Sequence, residues 1–172
     1  MPAHPHHHAP PPILTTRRDR LMLALASFFL GNALLAEMIG GKLFQVPTPI
    51  HTFTMSVGVI LWPVVFIVSD LVNEYFGREG VKRLTFLAAA VIAYAFLALF
   101  MAEKIPAASF SPVDGNSFRS VFLQSQWIIA GSLAAFLVAQ LVDVWVFWFV
   151  RRRTGHRYLW MRATGSTLVS QL

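Results

Sequence analysis

Apolar residues fall in four long runs and the opening of a fifth, parted by short polar stretches. The runs cover about 21–39, 53–68, 84–102 and 127–150, and they approach the roughly 20 residues needed to cross a hydrocarbon core. A fifth begins at Ala163, and the sequence stops at Leu172, part-way into it. The second run does not end in charge at once. It passes into Asp70-Leu-Val-Asn73-Glu74-Tyr-Phe-Gly77. On a helical projection Asp70, Asn73, Glu74 and Gly77 fall within an arc of roughly 100°, with Leu71, Val72, Tyr75 and Phe76 opposite. The pattern predicts an apolar helix over about 53–76 whose last turns carry an acidic face. Such a face at membrane depth is costly, about 2.5–3.5 kcal/mol per acid at the centre, and is usually kept for a function. The bland alternative is a solvated helix end that has left the membrane.

The connections are read as loops. Residues 40–52 hold Pro47 and Pro49, and 78–83 hold Arg78, Lys82 and Arg83. Residues 103–125 hold Pro106, Pro112 and the turn Asp114-Gly115-Asn116, then Phe118, Val121 and Phe122, which suggest a short surface helix. Pro63 is expected to kink the second span. The third run has no ionisable residue and reads as lipid-facing scaffold. In the fourth, Gly131, Ala135 and Ala139 form a small-residue stripe that admits a neighbouring helix. Ser132, Phe136, Gln140 and Asp143 run along an adjacent stripe, with Gln140 and Asp143 near mid-span.

Composition supports the same class. The 172 residues are 56% hydrophobic and 13% charged, against about a quarter charged in a soluble domain. The expectation is an all-α polytopic membrane protein, a helical bundle with about five spans: 21–39, 53–76, 84–102, 127–150 and a truncated 163–172. Residues 1–16, with four His and five Pro in the first twelve, read as a disordered tail. Residues 17–172 form one transmembrane domain. There is no cysteine, hence no disulfide or thiolate metal site.

The net charge of +6 follows the positive-inside pattern rather than a nucleic-acid face. The N-terminal segment, the 78–83 segment and 151–162 hold three, three and five Lys or Arg, and the intervening loops hold Lys42, Lys104 and Arg119. Eleven against three puts the N-terminus in the cytoplasm.

Four segments then send polar groups to one depth range, from the bilayer centre to the inner mouth. They carry Asn32, then Asp70, Asn73 and Glu74, then Gln140 and Asp143, then Ser166, Ser170 and Gln171. Glu37, near the far end of the first run, is expected at headgroup level. Carboxylates and amides suit a small, mostly uncharged ligand rich in N–H donors, such as a heterocycle. Asp70, Glu74 or Asp143 could also carry a coupling proton. No P-loop, G-x-S-x-G or H-E-x-x-H occurs, and no cofactor is expected. His51 and His156 are isolated loop residues.

Three stretches resemble the queuosine precursor transporter family, formerly the vitamin uptake transporters. The first is Trp62-Pro-Val-Val-Phe-Ile-Val-Ser-Asp70-Leu-Val-Asn-Glu74-Tyr-Phe-Gly77. The second is Gly131-Ser132, then Ala-Phe, Gln140 and Asp143. The third is Thr154-Gly155, then Trp160-Met-Arg162-Ala-Thr-Gly-Ser166-Thr167-Leu-Val-Ser170-Gln171. Asp70, Glu74, Gln140, Asp143, Arg162, Ser166 and Gln171 match motif positions. Trp127 departs from the family pattern, where many relatives carry arginine.

The resemblance implies a six-helix carrier of the inner membrane, of which this chain lacks the end of the fifth helix and the sixth. It implies import of 7-cyano-7-deazaguanine, or its aminomethyl form, for tRNA modification. The implied partners are a small deazapurine and the lipid bilayer, with no nucleic acid. A homo-oligomer is compatible with the sequence. Trp62, Phe136 and Trp145 are candidates to stack on the ring. The alternatives are a substrate-binding membrane subunit of an ATPase-coupled importer, and an intramembrane enzyme using Asp70 and Glu74 as an acid pair. Those two acids sit one turn apart on one helix, a poor geometry for clamping a substrate.

Overall fold

A computed structural model describes residues 16–123 and 126–154. The first helix, α1 (Arg17–Ile39), starts earlier than its apolar run because Thr16 and Asp19 cap it reciprocally. Asp19 N donates to Thr16 Oγ1 at 3.1 Å and Thr16 N to Asp19 Oδ2 at 3.2 Å. Thr16 therefore belongs to the helix boundary and not to the tail. The arginines ride on the first turns of the helix.

Residues 40–56 are not a plain loop. β1 (Leu43–Pro47) and β2 (Thr52–Ser56) pair antiparallel, with Leu43 opposite Ser56 and Pro47 opposite Thr52. Two prolines disfavour helix, and Val46, Thr52 and Thr54 suit a strand. The expected start of the second span at Phe53 is thus corrected: Phe53 is in a strand. A 3₁₀ turn follows over Val57–Ile60, and helix α2 (Trp62–Glu103) begins only at Trp62. Pro63 sits in the first turn of α2, where its missing N–H would have had no helical partner, so it starts the helix and does not kink it. Gly58 holds the turn against α1. A Cβ there would lie 2.5 Å from the Ala36 carbonyl oxygen, so only glycine fits.

Forty-two residues in α2 would run about 63 Å if straight, twice a roughly 30 Å hydrocarbon core. Gly77 breaks the run with φ 77° and ψ 179°, a conformation essentially restricted to glycine. The arms 62–76 and 78–103 then lie against α4 (Gln126–Thr154) in opposite senses. Trp62 meets Phe136, and Arg78 lies beside Arg152, yet the end of the second arm returns to Ile129–Leu133. The loop expected at 78–83 is therefore a one-residue turn in a helical hairpin, with Glu79 and Lys82 paired at 3.7 Å on the second arm.

The second arm is outward-facing on one side only, where Phe86, Leu87, Tyr94 and Leu97 are exposed. Val81, Leu84, Ala88, Ala89, Ile92 and Phe96 are buried with Phe29 and Ala33 of α1 and with Val65, Val68 and Val72 of the first arm. A run apolar on every side does not reveal by hydrophobicity which face is packed. Residue size does not reveal it either: Ala88 and Ala89 are buried, while Ala90, Ala93 and Ala98 are exposed.

The short helix α3 (Gly115–Phe122) is capped by Asp114, whose carboxylate accepts from Asn116 N and Ser117 N at 2.8 and 2.9 Å. Three helices among the described residues, α1, α2 and 128–153 within α4, are long and apolar enough to cross a membrane. The protein is a multi-pass membrane protein, mostly helical, with a small β-hairpin the all-α expectation did not include.

Candidate functional site

The site is the seam between the first arm of α2 and α4. The two run parallel, so residues one or two turns apart on each pair in ascending order. At one end Trp62 and Phe136 lie with ring centroids 5.5 Å apart. Gln140 follows one turn along α4. Then Ser69 Oγ lies 3.5 Å from Asp143 Oδ2, while also donating to the Phe66 carbonyl at 2.9 Å. Next, Trp148 Nε1 donates to Asn73 Oδ1 at 3.0 Å. At the other end Arg151 Nη1 pairs with Glu74 Oε2 at 3.6 Å, and the Arg151 guanidinium sits 4.9 Å over the Trp148 ring.

Why these residues point inward follows from spacing. Phe136, Gln140, Asp143 and Phe147 recur every three or four residues on α4, and all are buried. Val65, Ser69, Val72 and Asn73 do the same on α2. Asp70, Asn73, Gln140 and Asp143 are 2%, 1%, 0% and 1% exposed. The acidic face thus turns into the bundle and not to water. Buried polar groups of this kind are expensive without partners. Both amide atoms of Gln140 and the Asn73 nitrogen have no hydrogen-bonding partner among the described residues.

Asn32 is not drawn into the seam. Its Nδ2 donates 2.8 Å to the Phe28 carbonyl of its own helix. Trp145 faces outward, 60% exposed, stacked on Phe149 at 5.7 Å, so only Trp62 and Phe136 of the candidate stacking rings line the seam. Gly131 and Ala135 of the small-residue stripe are exposed too. Arg162, Ser166, Ser170 and Gln171 lie outside the described residues.

Sequence reasoning missed several residues. Glu37 does not face outward. It is buried, and the Ser132 hydroxyl lies 2.7 Å from both its carboxylate oxygens, fastening the end of α1 to the start of α4. The signal was available, because Glu37 continues the Phe29–Ala33 face of α1. Trp148 was missed because its partner is 75 positions away.

A cleft of about 590 Å³ lies away from the acids, between the end of α2, α3 and the start of α4. Its walls are apolar, with Phe96, Phe100, Ile129 and Leu133 among them. At its rim Glu103 pairs with Lys104 at 3.3 Å and Arg119 at 3.8 Å. Its volume is that of a ligand pocket. The buried, unmatched polar atoms are in the seam, and polar chemistry is what fixes a polar solute.

The fold also gathers charge. Arg18 Nη2 donates to the Tyr75 carbonyl at 3.2 Å and lies 5.3 Å over the Phe76 ring, beside the hairpin tip. The basic first turn of α1, the hairpin tip and Arg151–Arg153 therefore share one end of the bundle.

Comparison with known proteins places this geometry in context. Residues 56–172 match a family model described as "Putative vitamin uptake transporter". Over 121 residues the chain is 29% identical to the "Probable queuosine precursor transporter" of Bacillus subtilis (strain 168), covering 69% of this chain and 52% of that protein. The chain spans about half the length of this curated relative. No solved structure matches. The family match takes in both helices of the seam and leaves α1 outside it.

Proposed function

The chain belongs to the putative vitamin uptake transporter family, and from that premise we propose that it imports a queuosine precursor, 7-cyano-7-deazaguanine or its aminomethyl form. The observation that carries this reading is the seam itself. Asp70, Asn73, Gln140 and Asp143 are sequestered between two membrane helices with amide atoms left to bind something. A 7-deazaguanine ring offers a carbonyl, a ring N–H and an exocyclic amine along one edge, which complements amides and carboxylates. The Arg151 guanidinium near the seam is already engaged by Glu74, which disfavours an anionic solute. Trp62 and Phe136 flank the seam at the height where a flat ring would stack.

In this reading the basic end faces the cytoplasm of the inner membrane. Asp70 and Glu74 shape the inner gate or carry the coupling proton. Arg162, Ser166, Ser170 and Gln171 complete the site from the segment beyond α4. Transport is secondary, with no ATPase.

The test is uptake of labelled precursor into cells that cannot synthesise it, using the full-length protein. Asp143→Asn at unchanged expression is expected to abolish uptake. Unaltered uptake removes Asp143 from the site, and uptake that needs a separate ATPase overturns the secondary mechanism.

A further inference from the structure

The seam contains two amides that differ in one respect. Gln140 has neither amide atom engaged, so it can turn either way and offer a donor or an acceptor to a ligand. Asn73 cannot. An indole N–H only donates, so the Asn73 atom 3.0 Å from Trp148 Nε1 must be the oxygen. The amide is planar, and its nitrogen is thereby aimed the other way. That nitrogen is buried and has no partner among the described residues. Trp148 is itself held, packed against the core and covered by Arg151 at 4.9 Å. Asn73 therefore presents a fixed donor.

We propose that the Trp148–Asn73 pair is the selectivity element of this site: the locked Asn73 Nδ2 donates to the ring carbonyl of an oxo-deazapurine and rejects an amino group at the same ring position. This rests on the transport reading and deepens it. Gln140 does not discriminate, because a rotating amide pairs as well with a carbonyl beside an N–H as with an amine beside a bare ring nitrogen. Asn73 does discriminate, because two donors facing each other leave both buried and unmatched. Trp148 is a positioning residue that acts through Asn73.

The experiment compares two competitors of labelled 7-cyano-7-deazaguanine uptake. One is the unlabelled compound, and the other is its analogue with an amine in place of the ring carbonyl. Full-length wild-type protein should favour the oxo compound by about tenfold or more, the scale of one buried hydrogen bond lost. Trp148→Phe frees the amide to flip and should bring the two competitors within about threefold. Asn73→Asp keeps the bond from Trp148 but faces the ligand with an acceptor. It should move preference toward the amino analogue, read by direct binding of each compound to purified protein. Equal competition in the wild type overturns the selectivity element and leaves the transport reading standing. A wild-type ratio retained in both variants at matched protein levels does the same. Wild-type protein that takes neither compound overturns the transport reading and this inference with it.

Discussion

Replacing Gln140 by leucine should make the protein more stable and useless as a carrier. The side chain is fully buried, and its Oε1 and Nε2 have no partner among the described residues. An unsatisfied buried polar group costs about 1–3 kcal/mol in protein mutational data. Leucine is similar in size and brings no polar atom, so it removes that cost without opening a cavity against Phe136 and Val144. The expected gain is about 1–3 kcal/mol. For a chain of this size that is a rise in Tm of roughly 2–4 °C per kcal/mol. The assay is thermal unfolding of purified protein in detergent without ligand, beside uptake in cells. The wild type should gain a further 2.7 kcal/mol or about that at a hundredfold excess of precursor over Kd, through binding to the folded state alone. Gln140→Leu should gain nothing from precursor. A fall in Tm for the variant in the absence of ligand would show that the amide is satisfied in the resting protein. Retained precursor stabilisation would show that Gln140 is no ligand contact. Either result refutes the reasoning from unmatched atoms.

Two further predictions concern the scaffold. Gly77→Ala should destabilise the protein by about 1–3 kcal/mol through backbone strain alone, since φ is 77° and open space surrounds the position. Gly131→Ala, also in open space but at ordinary dihedrals, is the control. Equal melting of the two variants would mean the hairpin turn is not held by Gly77. For α3, hydrogen bonds to Asp114 from the Ser117 backbone, then the Ser117 hydroxyl, then the Asn116 backbone hold its carboxyl below the usual carboxylate range. The folded state therefore binds its proton less readily than the unfolded chain. The cap's contribution is complete above the unfolded value of about 4 and is lost as pH falls through the lower folded value. Hydrogen exchange at the Phe118 and Leu123 amides should quicken over that acid window in the wild type. In Asp114→Asn, which caps without titrating, it should not.

The sequence exposed the parts of the site that one helix can advertise. The Ser132–Phe136–Gln140–Asp143 stripe and the Asp70–Asn73–Glu74 face both follow from spacing within a single element, and both turn inward. What spacing could not carry was pairing between elements. Trp148 gains its meaning from Asn73, Arg151 from Glu74 and Glu37 from Ser132, each across a long gap in sequence. Pro63 reads as a kink when the span is begun at Phe53; the strand pairing before it moves the helix start to Trp62 and puts the proline in the first turn. The second arm of α2 was illegible for a different reason. Where every position is apolar, burial is set by neighbours and not by residue type.

One consequence follows from how α1 is attached. Arg18 ties its beginning to the carbonyl of Tyr75, and Glu37 ties its finish to Ser132 on another helix. The strut thus answers to two masters at opposite membrane faces. Sliding α4 past the hairpin as a rigid body must strain one fastening or the other, so widening the bundle on one side is felt on the far side through a single rod.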